Sequence, residues 1–164
     1  MLLSSVKENR YNWIKTEIMK KILFVLVAIF SLGVLSVKAD NDRIISKELL
    51  PAESQAFINK HFSGLKISYV KEERDFLERS YEVLFTDGSK LEFSRKGAWK
   101  EIDCRYGEVP AAVIPERISN YVSANYPDAK VLRIERDSYD YDVKLSNRLE
   151  LTFDKKFNII DIDN

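Results

Sequence analysis

Nucleophilic catalysis needs an activated nucleophile within hydrogen-bond reach of a base. The chain holds one histidine and one cysteine for such work. His61 stands in Asn59-Lys-His-Phe62 and reads as a histidine on a helix surface. The equivalent position in the second half of the chain is Asn125, so no imidazole is called for there. Cys104 follows a strand pattern and reads as core filler, and a lone cysteine closes no internal disulfide. One His and one Cys fall short of the usual transition-metal ligand sets. The five glycines are scattered singly, so no phosphate-cradling loop is expected. Asp137-Ser-Tyr-Asp-Tyr-Asp142 could gather oxygens around calcium, but its alternation of Tyr with Asp is strand logic. Glu92 and Glu101 form a carboxylate pair across neighbouring strands, and such pairs are more often solvated than catalytic. We expect no catalytic set, no cofactor and no metal.

Recognition is the chemistry that remains. Trp99 lies among acidic residues, and interfaces favour aromatics at their centre. The competing expectation is that Trp99 folds over a hairpin end as a lid on the core.

These residues are positioned by alternating strands. In Tyr81–Asp103, Tyr81, Val83 and Phe85 alternate with Glu82 and Leu84, then Leu91 and Phe93 flank Glu92, and Ile102 closes the run. Asp87-Gly88 and Lys96-Gly97 supply turns that accept positive φ. The pattern returns as Tyr141–Leu145, Leu151–Lys156 and Asp161–Asp163. Ahead of each set stands an apolar-proline pair, Leu50-Pro51 and Ile114-Pro115, followed by helical spacing. Lys66–Glu73 and Lys130–Arg136 read as the first strand of each unit. The chain is expected to be α+β, a tandem repeat of two helix-plus-four-stranded antiparallel units spanning 40–104 and 105–164. Parity places Tyr81, Val83, Phe85, Leu91, Phe93 and Ile102 on the core face. Tyr141, Val143, Leu145, Leu151, Phe153 and Ile162 are their counterparts. Glu82, Leu84, Glu92, Trp99 and Glu101 fall on the opposite, open face, together with Tyr69 and Arg133. In the second unit that face takes Asp142, Lys144, Thr152, Ile159 and Asp161.

Residues 1–39 read as a leader. Met19 opens a signal-peptide pattern, with Lys20 and Lys21 ahead of the apolar run Ile22–Val34 and small residues in Val37-Lys-Ala39. Met19 is the expected start, and the mature chain begins at Asp40. The leader carries six of the 26 basic and two of the 26 acidic residues, which leaves 20 and 24, a net charge of −4. That balance argues against nucleic acid and against attraction to anionic lipid. No stable membrane insertion is expected after cleavage.

The motifs together resemble a known family. L-P, a helix ending N-K-H-F, Y-E-V-L-F-T-D-G-S-K-L-E-F and G-A-W-K-E-I-D are similar to the PepSY-like family of β-lactamase-inhibitor-like proteins. The second half, from I-P through N-Y-P-D-A-K to L-T-F-D-K-K-F, is similar as well. The resemblance covers Ile44 to Asp163. It implies an exported protein of a Bacteroides-type bacterium with a β-lactamase-inhibitor-protein-like fold, and a binding or inhibitory role without an established activity.

The expectation is a periplasmic or secreted, non-catalytic binding protein that meets another protein through Tyr69, Glu92, Trp99, Glu101 and Arg133. The rival is a small-molecule or envelope-ligand binder with a pocket between the units. A deep apolar pocket would favour the rival, and a shallow sheet with exposed Trp99 and Tyr69 would favour the protein partner.

Overall fold

In a computed structural model, residues 42–74 and 78–164 are described. The expected leader, with its expected start at Met19, lies outside them.

Among the described residues, nine strands follow chain order in one antiparallel sheet. They are β1 (Arg43–Ile45), β2 (Ile67–Arg74), β3 (Arg79–Phe85), β4 (Lys90–Ser94), β5 (Trp99–Asp103), β6 (Val131–Arg136), β7 (Asp140–Leu145), β8 (Glu150–Asp154) and β9 (Ile159–Asp163). Two helices, α1 (Ala52–His61) and α2 (Glu116–Asn125), complete the fold. The protein is α+β, as expected. The sheet is continuous, because β5 pairs with β6 through Glu101–Glu135, Ile102–Ile134 and Asp103–Arg133. Two separate four-stranded sheets are therefore not what is observed. Ahead of α1, Arg43–Ile45 pairs with β2 as the edge strand.

Each helix buries one stripe on the same hydrophobic core. Ile58 and Phe62 belong to or follow α1, Ile118 and Val122 belong to α2, and all four are buried. Burying one such side chain contributes roughly 1.5–3 kcal/mol. Ser54 of α1 is buried too, with its hydroxyl donating to the Gly97 carbonyl at 3.1 Å. Gly97 has φ +100° and a Cβ there would lie 2.8 Å from Pro51, so a side chain is excluded by both backbone and space. This contact pins the β4–β5 turn to the start of α1.

The expected core face is found at Tyr81, Val83, Phe85, Leu91, Phe93, Ile102, Val143, Leu145, Leu151 and Phe153, all buried. Two positions differ. Tyr141 is half-buried, and Ile162 is 46 % exposed. Ile102 has β6 beside it, whereas β9 is the last strand of the sheet among the described residues and Ile162 lies at that edge.

Trp99 is the larger correction. Parity alone puts it on the open face, but the ladder slips at Glu92/Phe93: Glu92 faces Glu101, and Phe93 faces Trp99. This β-bulge at Lys100 inserts one residue and reverses the alternation. Trp99 therefore shares the core face with Phe93, half-buried and packed against the core. The Arg136 guanidinium sits 4.1 Å from its ring centroid, and Arg136 Nε donates to the Trp99 carbonyl at 2.7 Å. The same slip at Thr152/Phe153 turns Ile159 inward.

Glu72 is 2 % exposed and faces the helix side. Arg43 of β1 pairs with it, and Arg74 and Arg79 reach it at 3.1 and 3.3 Å. Burial works to raise its pKa, but the Arg43 and Arg74 hydrogen bonds overcome that and hold the carboxyl below the usual range.

Candidate functional site

Both helices pack on the core side, so among the described residues no helix covers the other sheet face. Pairing aligns its residues in rows, because directly opposed residues share a face. One row runs Glu82–Glu92–Glu101–Glu135–Asp142 across β3 to β7, each residue opposite the next. At a strand spacing of about 4.8 Å the five carboxylates span about 19 Å. Thr152 and Asp161 extend the row to the sheet edge, and Thr152 Oγ1 donates to Asp142 Oδ1 at 2.6 Å.

Cations thread between them. Lys71 lies 3.7 Å from Glu82 and 2.6 Å from Glu73. Lys90 lies 2.7 Å from Glu92 and 3.4 Å from Glu101. Arg133 Nε donates to Glu101 Oε1 at 2.8 Å, and its Nη2 pairs with Glu135. Three cations thus reach four of the five carboxylates, and Asp142 takes the Thr152 hydroxyl instead.

The titration behaviour follows. Burial pushes the Glu101 carboxyl up, but the Arg133 hydrogen bond and charge, with Lys90, bring it below the usual range. Glu135 is raised, first by burial and then by the neighbouring carboxylates of Glu101, Asp142 and Glu92, despite Arg133. Burial disfavours charged Lys90 and charged Arg133, yet their carboxylate partners leave both raised. Tyr69 pairs with Leu84 on the open face and donates its hydroxyl to Glu82 Oε1 at 2.7 Å, which raises the Tyr69 pKa.

Of the residues singled out in the sequence, Tyr69, Glu92, Glu101 and Arg133 lie on this face. Glu92, Glu101 and Arg133 form one ionic group around Lys90. Tyr69 joins from two strands away through Glu82. Trp99 lies on the other face. Lys90 and Glu135 were missed; simple alternation with Glu92 and Arg133 would have placed both beside the pair.

The remaining candidates are held structurally. The Cys104 thiol is buried and pushed up to about 11, first by burial. His61 packs its ring 4.9 Å from Phe57, and burial lowers its pKa. In Asp137–Asp142 the Asp137 carboxylate accepts from the Asp140 amide at 3.1 Å, and Lys155 Nζ donates to the Asp140 carbonyl at 3.0 Å. Among the described residues, no group of three or more His, Cys, Asp or Glu is arranged to hold a metal. No helix among them is long and apolar enough to cross a membrane.

A cavity of about 410 Å³ marks the β5–β6 seam, lined by Lys90, Glu101, Asp103, Arg105, Leu132, Arg133 and Lys144. Six of its seven lining residues are charged, unlike the wall of the deep apolar pocket expected of a small-molecule binder.

The architecture defines a class: a nine-stranded antiparallel meander with both helices on one face and charged residues on the other. The family model described as putative beta-lactamase-inhibitor-like, PepSY-like matches residues 79–161. The chain belongs to this family. A solved structure from Bacteroides thetaiotaomicron, described as a putative calcium-regulated periplasmic protein, is 58% identical with a TM-score of 0.74. That match covers 75% of this chain and 97% of the other. A putative periplasmic protein from Bacteroides vulgatus is 53% identical with a TM-score of 0.75, over 77% of this chain and 99% of its own. Another from the same organism, of unknown function, is 39% identical with a TM-score of 0.71, over 75% and 99%. A comparison with curated proteins finds no match. The protein is periplasmic or secreted, in agreement with its relatives. Nothing in these comparisons points to catalysis.

Proposed function

We propose that this is an exported, non-catalytic binding protein that captures another protein through its open sheet face. The observation that carries the reading is the row Glu82–Glu92–Glu101–Glu135–Asp142. Like charges directly opposed across strands are destabilising. Here they recur on five adjacent strands with three cations among them, and among the described residues no helix covers the face. A partner with a basic surface would satisfy the excess. The β-lactamase-inhibitor-like description of the family supports an inhibitory form of the same binding, in which the partner is an enzyme.

The face is built from two units, 40–104 and 105–164, fused edge to edge at the β5–β6 seam. The shared irregularities support this. Slips occur at Ile67/Tyr69 and Val131/Arg133, and again at Glu92/Phe93 and Thr152/Phe153. Positive φ occurs at Gly88 and Arg148, and at Gly97 and Phe157.

The test is affinity for a partner captured from periplasmic extract. Glu92→Lys with Glu135→Lys should weaken it at least tenfold, and added salt should weaken the wild type. Unchanged affinity in the double variant would contradict the reading.

A further inference from the structure

The sheet has a second feature at the other end of β3 and β4. A cavity of about 320 Å³ opens beside the opposed pair Ser80 and Ser94. Both serines alternate with the core residues Tyr81 and Phe93, so they face the open side. Glu78, Arg79, Arg95, Lys96 and Lys100 complete the wall, four cations against one carboxylate. The volume falls at the lower end of the roughly 300–1,000 Å³ of small-ligand clefts.

The seam cavity makes the contrast. It also has four cations, but each lies within 4 Å of a carboxylate: Lys90 with Glu92, Arg105 with Asp103, Arg133 with Glu101 and Lys144 with Glu150. At the Ser80–Ser94 cavity, Arg79 reaches Glu72 at 3.3 Å. Arg95, Lys96 and Lys100 have no carboxylate within 4 Å among the described residues. Screening limits the reach of distant charge to about 8 Å at physiological salt, so this local excess outweighs the acidic balance of the whole chain. The Lys100 bulge helps make it, since the inserted residue adds a cation between Ser94 and the carboxylate row.

We propose that this cavity is an anion site for a small ligand bearing a phosphate or sulfate group. A guanidinium presents a planar fork that binds such oxyanions in two places, and ammonium groups add point charge. Arg95 would supply the fork, Lys96 and Lys100 the charge, and the Ser94 hydroxyl a neutral donor. The site borders the carboxylate row, since Ser80 and Ser94 lie two residues from Glu82 and Glu92 and Ser80 Oγ donates to Glu73 Oε2 at 3.2 Å, but it does not depend on the protein-partner reading.

The test is an NMR titration of the exported protein with inorganic phosphate, against chloride at equal ionic strength. Saturable amide shifts are expected across Ser94–Lys100. Arg95→Gln/Lys96→Gln/Lys100→Gln should weaken binding at least tenfold, and Lys100→Glu alone should weaken it in the same direction should the triple variant fold poorly. Vesicles of phosphatidylcholine with phosphatidylglycerol separate the two sources of such a group. Co-sedimentation lost in the variants assigns a lipid headgroup, and phosphate binding without co-sedimentation assigns a soluble ester. No saturable phosphate shift, or equal affinity in the variants, overturns the proposal.

Discussion

Arg133 Nε lies 2.8 Å from Glu101 Oε1, across the only strand pair that joins the α1 half of the sheet to the α2 half among the described residues. The Glu101 side chain is 9 % exposed and that of Arg133 33 %, so the pair is only half withdrawn from solvent. Removing one partner of a fully buried pair costs about 3–5 kcal/mol, and an exposed pair contributes about 1 kcal/mol or less. Arg133→Ala should therefore cost an intermediate amount, about 2 kcal/mol in urea unfolding, with Lys90 retaining part of the compensation. A loss below about 1 kcal/mol would show that the seam does not rely on this pair.

The same carboxylate sets a pH dependence. The folded pKa of Glu101 lies below its ordinary value of 4.5. The unfolded chain then binds more protons in that window, so stability rises with pH there. The contribution is fully present above 4.5 and is lost as pH falls through the lower folded value. Chemical unfolding of Glu101→Gln at a series of pH values should show a shallower acid loss than wild type. An unchanged slope would contradict the assignment.

Trp99 separates packing from recognition. Its ring packs on the core and under Arg136. Trp99→Ala should lower stability by about 2 kcal/mol, less than the roughly 3–5 kcal/mol of a fully buried aromatic. Partner affinity, corrected for the folded fraction, should not change. A large affinity loss at unchanged melting temperature would return Trp99 to the binding surface.

Phe93 and Phe153 are both fully buried, one under each half of the sheet. Phe93 meets Phe57 of α1 edge-on at 5.8 Å, and Phe153 meets Tyr121 of α2 at 5.4 Å. Either Phe→Ala change should cost roughly 3–5 kcal/mol. Differential scanning calorimetry of the two variants checks this, and a cost below about 1 kcal/mol at both would contradict the packing.

What was legible in the sequence was periodic. Alternation located β3, β4, β7 and β8, and helical spacing located α1 and α2. Tyr69 and Arg133 were placed correctly. Where the period breaks, reading fails: one inserted residue, Lys100, carried Trp99 to the other face. The edge position of Ile162 was equally hidden, because alternation says which face a residue takes and not whether a neighbouring strand covers it. The carboxylate row needed the register of five strands, which depends on every bulge and turn between Glu82 and Asp142. The cation excess beside Ser94 needed the knowledge of which charges already had partners.

The open face, and not the helix face, is proposed to meet a protein partner. Site-specific photo-cross-linking in the periplasm tests it most directly, with a photoreactive residue in place of Glu92 on the open face or of exposed Ala56 on α1. A discrete protein adduct is expected from the Glu92 position that disappears when Glu135→Lys is added, and none from the Ala56 position. Adducts from Ala56 alone, or equal adducts from both positions, would contradict it.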